Sequence, residues 1–135
     1  MREHKDNSYD IVHSNSVIEH VGDWNNMISF AKEVRRLAPA YYIQTPYFWF
    51  PIDPHFFRVP MIHWLPLSLQ AKAHSRFRAG WGAKATNLDE AMFLASSSSM
   101  LDRRQLRWLF PDGVHIFERV FGLPKSMIAT RLFRL

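Results

Sequence analysis

The stretch Tyr9-Asp10-Ile11-Val12-His13-Ser14-Asn15-Ser16-Val17-Ile18-Glu19-His20-Val21 carries the reading of the fold class. Its apolar centre, residues 9–13, is short and β-branched, and the turn-forming Asp6-Asn7-Ser8 precedes it. Such a run predicts a strand, buried on both faces where the sheet is parallel. Ser14, Asn15 and Ser16 are small and polar, and they predict the end of that strand and a loop at its carboxyl end. Asp23 suits a helix N-cap. After it, Trp24, Met27, Ile28, Ala31, Val34 and Leu37 recur at helical spacing, while Asn25, Lys32, Glu33 and Arg36 take the other side. Pro39 stops the helix, and residues 40–45 predict a second strand closed by Pro46. Strand, helix, strand with short links is a βαβ unit of parallel sheet.

Residues 46–66 hold Tyr47, Phe48, Trp49, Phe50, Phe56, Phe57 and Trp64 among prolines at 46, 51, 54, 60 and 66. The prolines forbid a long regular element, and the aromatics forbid a solvated loop. The expectation is an ordered aromatic excursion over one end of the sheet. A helix over 67–78 follows, then a loop at Gly80-Trp81-Gly82. Asn87 caps a short helix through Leu94, with Glu90 in the capping-box position. Residues 96–99 are a serine link. Asp102, with Gln105 three residues on, caps a helix whose apolar edge is Leu106, Leu109 and Phe110, and Pro111-Asp112-Gly113 ends it. Strands over 114–120 and 127–133, joined by 122–126, predict an antiparallel hairpin.

Composition narrows the function classes. A length of 135 residues predicts one domain, and 47% hydrophobic residues exclude compositional disorder. With no cysteine, a disulfide scaffold, a thiolate metal site and a cysteine nucleophile are excluded, and the expected address is a reducing cytoplasm. The net charge of +5 is scattered, and its densest cluster, Arg103, Arg104 and Arg107, reads as a solvated helix face, so no nucleic-acid partner is favoured. The opening residues are charged with no apolar run behind them, which predicts no signal peptide. The longest uncharged stretch, residues 37–52, is too short for a bilayer and carries three prolines, so no transmembrane segment is expected. There is no Gly-x-Gly-x-x-Gly, no phosphate loop and no Gly-x-Ser-x-Gly elbow. Among seven histidines no pair has His-x-x-x-His spacing, and no carboxylate sits in a ligand motif, so no metal site is expected.

Residues 9–21 resemble the fourth strand and following loop of class I S-adenosylmethionine-dependent methyltransferases. The type 11 branch reads Phe-Asp-hydrophobic-Val, then small polar residues, then hydrophobic-Glu-His-hydrophobic. Val34-Arg35-Arg36-Leu37-Ala38-Pro39 looks like the end of that family's next helix, and Tyr42-Ile43-Gln44-Thr45-Pro46 like its fifth strand. A last helix and a two-strand hairpin match the family's ending. The chain departs from the family in having Pro39-Ala40-Tyr41 where Pro-Gly-Gly is common. The glycine-rich loop and the acidic residue that holds the cofactor ribose precede the fourth strand in the family and are absent from these residues. A seven-stranded sheet at roughly 30 residues per βαβ unit takes about 200 residues. The resemblance thus implies an α/β fold: a partial Rossmann-like sheet of the fourth to seventh strands, the last two an antiparallel hairpin. It would form one domain over 1–135, with residues 46–100 inserted over the acceptor side.

The resemblance also implies the chemistry. The cofactor would be S-adenosyl-L-methionine, with Ser14, Asn15 and Ser16 beside its methionine part. His20 would take a proton from the acceptor or only hydrogen-bond the loop. Methyl transfer is an in-line displacement in which positioning supplies much of the rate, so no base is required. The excursion after the fifth strand would lie over the acceptor. Asp53 and His55 are then acceptor-binding candidates, His55 a second catalytic candidate, and Trp49 and Phe50 the pocket wall; the alternative is an aromatic core plug. The acceptor would be a small molecule or a glycan. The first strand would offer an unpaired edge to a second copy or to a missing amino-terminal half. The competing readings are a non-catalytic remnant that binds a partner, and a basic peripheral module that uses the aromatic-proline segment on a membrane or nucleic acid.

Overall fold

Strands β1 (Ile11–Asn15), β2 (Ala40–Pro46), β3 (Val114–Val120) and β4 (Leu123–Arg131) form one mixed sheet in the order β1-β2-β4-β3. The structure, a computed structural model, describes residues 3–55, 59–78 and 84–132. β1 and β2 run parallel, from Ile11 opposite Ala40 to Asn15 opposite Gln44, and helix α1 (Trp24–Leu37) crosses between them. β4 is antiparallel to both β2 and β3. The α/β class and the closing hairpin are as expected.

Several boundaries differ from the sequence reading: the helix expected over 67–78 ends at Arg76, the one expected through Leu94 runs to Ser96, and the first strand and the hairpin are placed differently. β1 starts two residues later than Tyr9 and carries Ser14 and Asn15 as paired strand residues opposite Ile43 and Gln44. Ladder hydrogen bonding to β2 outweighs their polar, turn-prone character. Ser16 ends the strand, with its backbone in the left-handed region at φ 57° and its N–H donating to Gln44 O at 2.9 Å. In the hairpin, the turn is Phe121-Gly122, both left-handed at φ 49° and 80°, which matches the twist of the flanking strands. Residues 123–126 are therefore strand, not loop. Pro124 is tolerated because it faces only Arg119, beside a register irregularity at Glu118/Arg119, and β2 joins β4 only from Ser126 onward.

Capping chemistry sets the helix starts. Asp23 accepts from Asn26 N–H at 2.9 Å at the head of α1. Asp102 and Gln105 close a reciprocal capping box before α4 (Arg103–Leu109). Asn87 caps α3 (Leu88–Ser96) through Glu90 N–H, but the Glu90 carboxylate accepts from Thr86 N–H and Oγ1 at 2.8 and 2.7 Å. The expected second half of that box is thus not closed, because a nearer pair of donors one residue upstream takes the carboxylate. Helix α2 (Leu67–Arg76) follows Pro66. The Gly80-Trp81-Gly82 loop, Phe56, Phe57 and the predicted strand end at Phe133 lie outside the described residues.

Helices α1 and α4 cover one face of the sheet. Met27, Ala31 and Val34 pack with Leu106, Leu109 and Phe110 onto Tyr41, Ile43, Met127 and Ala129. The opposite face shows His13 stacked on Tyr42 at 5.2 Å, and exposed Val114 and Ile116. α2 and α3 pack on each other through Ala71, Ala91 and Ala95 in a separate small cluster. Between β2 and α2 the prolines leave one 3-10 turn, Ile62–Trp64, among the described residues. Phe48 N–H donates to Leu101 O at 3.0 Å and ties the start of this excursion to the link before α4. No helix among the described residues is long and apolar enough to cross a membrane.

Candidate functional site

Side-chain alternation along β1 separates the three residues predicted at its carboxyl end. Asn15 stands on the open sheet face beside its register partner Gln44, whereas Ser14 points to the covered face, buried, with Oγ unbonded. Asn15 and Ser16 line a cleft of about 450 Å³ with Gln44, Phe50, Glu118 and Lys125. Its floor is a polar row. Gln44 Nε2 donates to Glu118 Oε2 and to Ser126 Oγ, both at 2.9 Å, and Ser126 Oγ donates to Glu118. Tyr42 O–H donates to Gln44 Oε1 at 3.0 Å, so the row is oriented from β2 outward.

A second cleft of about 580 Å³ lies between the aromatic excursion, α2, α3 and the serine link, and takes in Asp53, His55, His63, His74 and residues 96–99. Asp53-Pro54-His55 folds as a tight turn in which Asp53 Oδ1 accepts from both His55 N–H and His55 Nδ1 at 2.8 Å. Burial acts to raise the Asp53 pKa, but the two His55 hydrogen bonds outweigh it and hold the carboxyl below its ordinary value. The same bond raises the His55 imidazole above its ordinary value, against the opposing effect of burial. Burial lowers His74, so its ring favours the neutral form more than a free histidine does. His63 Nε2 and Trp64 Nε1 both donate to Phe48 O at 2.7 Å, which pins the turn that backs the cleft.

The loop after β1 meets this second cleft. A single 3-10 turn, Ile18–His20, buries Ile18 and Glu19 and leaves His20 exposed. His20 Nδ1 bonds Ser97 O at 3.0 Å, and Ser99 N–H bonds Glu19 O at 2.7 Å, so the serine link is stitched to the turn. His55 Nε2 reaches His20 Nε2 at 2.8 Å. Glu19 Oε1 lies 4.0 Å from His20 Nε2, and the three donor atoms fall within 4.8 Å of one another. Thr45 Oγ1 donates to the other oxygen, Glu19 Oε2, at 3.0 Å, and both residues are fully buried.

The predicted residues therefore divide. Asn15, Ser16 and Phe50 share the first cleft; Asp53 and His55 belong to the second, and His20 meets His55 at its edge. Trp49 is 57% exposed and packs edge-on against Phe48 at 4.9 Å, so it lines neither cleft. Sequence reasoning missed Glu19 and Thr45 as partners, and missed the Glu19–His20–His55 grouping, because its members lie on two loops 35 residues apart with no motif spacing. The one local signal was Asp53-Pro54-His55. No protein-family model, no curated protein and no solved structure matches the chain.

Proposed function

We propose that the chain is the carboxyl-terminal part of an S-adenosylmethionine-dependent methyltransferase domain that acts on a small-molecule or glycan-type acceptor and is completed by an amino-terminal half. The observation that carries this reading is the topology. A parallel β1-α1-β2 unit is followed by a helix and an antiparallel hairpin, and Asn15 and Ser16 sit in a cleft beyond the carboxyl end of β1. Ligands of open α/β sheets bind at that end of the strands. The reading puts the methionine part of the cofactor in the 450 Å³ cleft, against Asn15, Ser16 and the Gln44–Glu118 row. It puts the acceptor toward His20, His55 and Asp53, which would orient an acceptor hydroxyl. The edge position of β1, with Ile11 half exposed, favours a partner strand or half-domain there and is also what a non-catalytic partner-binding remnant would show.

Calorimetric titration of S-adenosylmethionine into the purified chain tests this. Micromolar binding that Asn15→Ala weakens about tenfold, the worth of one hydrogen bond, supports it. A folded chain that binds no cofactor, alone or with an added amino-terminal half-domain carrying a glycine-rich loop, overturns it and leaves the partner-binding reading.

A further inference from the structure

Beyond methyl transfer, and without resting on it, we propose that Glu19 Oε1, His20 Nε2 and His55 Nε2 form a binding site for a divalent transition-metal ion of the Zn2+ class at the edge of the 580 Å³ cleft.

The first argument is the placement of the imidazole protons. Ser97 O can only accept, so His20 carries its proton on Nδ1; the Asp53 carboxylate accepts from His55 Nδ1 in the same way. In the neutral rings both Nε2 atoms are then bare lone pairs, and they face each other at 2.8 Å. Two acceptors at that distance repel unless a cation or an extra proton stands between them.

The second argument is Glu19. It is 0% exposed, Oε1 has no hydrogen-bond partner, and among the described residues no Lys or Arg pairs with it. A buried carboxylate oxygen without a donor is costly, and a metal ion repays it.

The third is the support behind each donor. The second polar atom of every ligand is held: His20 Nδ1 by Ser97 O, His55 Nδ1 by Asp53, and Glu19 Oε2 by Thr45 Oγ1. Outer partners of this kind orient imidazole and carboxylate ligands in metal sites.

The donor set then selects the ion. Two imidazoles and one carboxylate favour Zn2+ and its transition-metal neighbours over Mg2+ and Ca2+. Three protein ligands leave one position open for water or an oxygen ligand. A tetrahedral ion with bonds of about 2.0–2.1 Å has donors about 3.3 Å apart. The spacings of 2.8 and 4.0 Å bracket that value and the third pair lies within 4.8 Å, so the carboxylate and one ring close on an ion by moving about 1–1.5 Å.

The test uses the 135-residue chain stripped with a chelator and titrated with Zn2+ against a chromophoric competitor, with Co2+ absorption as a second readout. The expected result is one Zn2+ per chain at submicromolar affinity, a tetrahedral Co2+ spectrum, and no displacement by millimolar Mg2+. Asp53→Asn should cost roughly 10–100-fold in affinity, as loss of a supporting partner does, and His20→Ala and His55→Ala each more than that. His13→Ala, on the open sheet face, should bind as the parent does. Both ligand histidines are partly exposed, so the alanine variants keep the fold, checked by circular dichroism. Zinc binding that survives His20→Ala and His55→Ala overturns the proposal. So does a folded parent chain that binds no zinc, which would leave a proton shared between the two rings.

Discussion

Thr45→Val isolates the contact that holds Glu19 in the interior. Valine keeps the shape of threonine and removes one hydroxyl, so packing around this fully buried position is preserved while Glu19 Oε2 loses its 3.0 Å hydrogen bond. Glu19 Oε1 already has none, so the variant carries a buried carboxyl group with no donor among the described residues. Stranding a buried polar group costs about 1–3 kcal/mol, and more where it is charged, which gives about 3 kcal/mol here. With a urea slope of about 1.5 kcal/mol per molar, the unfolding midpoint should fall by about 2 M. The melting temperature should drop by roughly 10 °C. Both are measured in chelator, so that metal binding to the native state adds nothing. Glu19→Met in the same chain removes the stranded group, and the double variant should return to within about 1 kcal/mol of the parent, since replacing both partners by apolar groups of like shape is close to neutral. A loss below about 1 kcal/mol for Thr45→Val, or a double variant no more stable than Thr45→Val, refutes the assignment of Glu19 as a group stranded in the core.

The cluster at the far end of the sheet supports two more expectations. A Cβ on Gly113 would lie 2.5 Å from Tyr41 Oη and 3.1 Å from Thr130 O, so Gly113→Ala should cost about 2–3 kcal/mol by overpacking. Tyr41→Phe in the same chain deletes the clashing atom and should recover part of that loss in urea unfolding, whereas strictly additive effects would show that the contact is not the cause. For Asp112, burial acts to raise the pKa, but the Tyr41 hydrogen bond and the Arg131 guanidinium outweigh it and hold the carboxyl below its ordinary value. A carboxyl lowered on folding contributes stability above its unfolded pKa and loses it as pH falls through the folded one. The stability advantage of the parent over Asp112→Asn should therefore be full above about pH 5 and shrink below about pH 4; an advantage unchanged down to about pH 2 would contradict it.

Legibility in the sequence follows the range of the interactions. Asp23, Asn87 and Asp102 announce helix starts because a capping side chain bonds a backbone N–H only two or three residues away. Asp53-Pro54-His55 is readable for the same reason. The parallel unit and the hairpin follow from apolar periodicity and from chain lengths between elements. By contrast, the end of β1 is not legible in the sequence, because Ser14 and Asn15 are strand residues only by virtue of the β2 ladder, a partner about 30 residues away. The hairpin turn moved for a related reason: Phe121-Gly122 supplies two left-handed residues, and Pro124 survives in a strand only where one neighbour is missing.

The candidate site divides along the same line. That small polar residues near 14–16 close the first strand follows from the chain itself; that the strand runs on through Asn15 depends on its pairing with Gln44. That Ser14 is withdrawn from Asn15 and Ser16 depends on which sheet face α1 and α4 cover, and that Phe50 parts from His55 and Trp49 faces solvent depends on the course of the excursion after β2. The meeting of Glu19, His20 and His55 belongs to tertiary structure alone. Their contact is made when a proline-broken excursion, returning over the sheet, lays Asp53-Pro54-His55 against the turn after β1 and the serine link holds that turn in place. Residues this far apart share no spacing, because the geometry that joins them is set by packing and not by the period of a helix or strand.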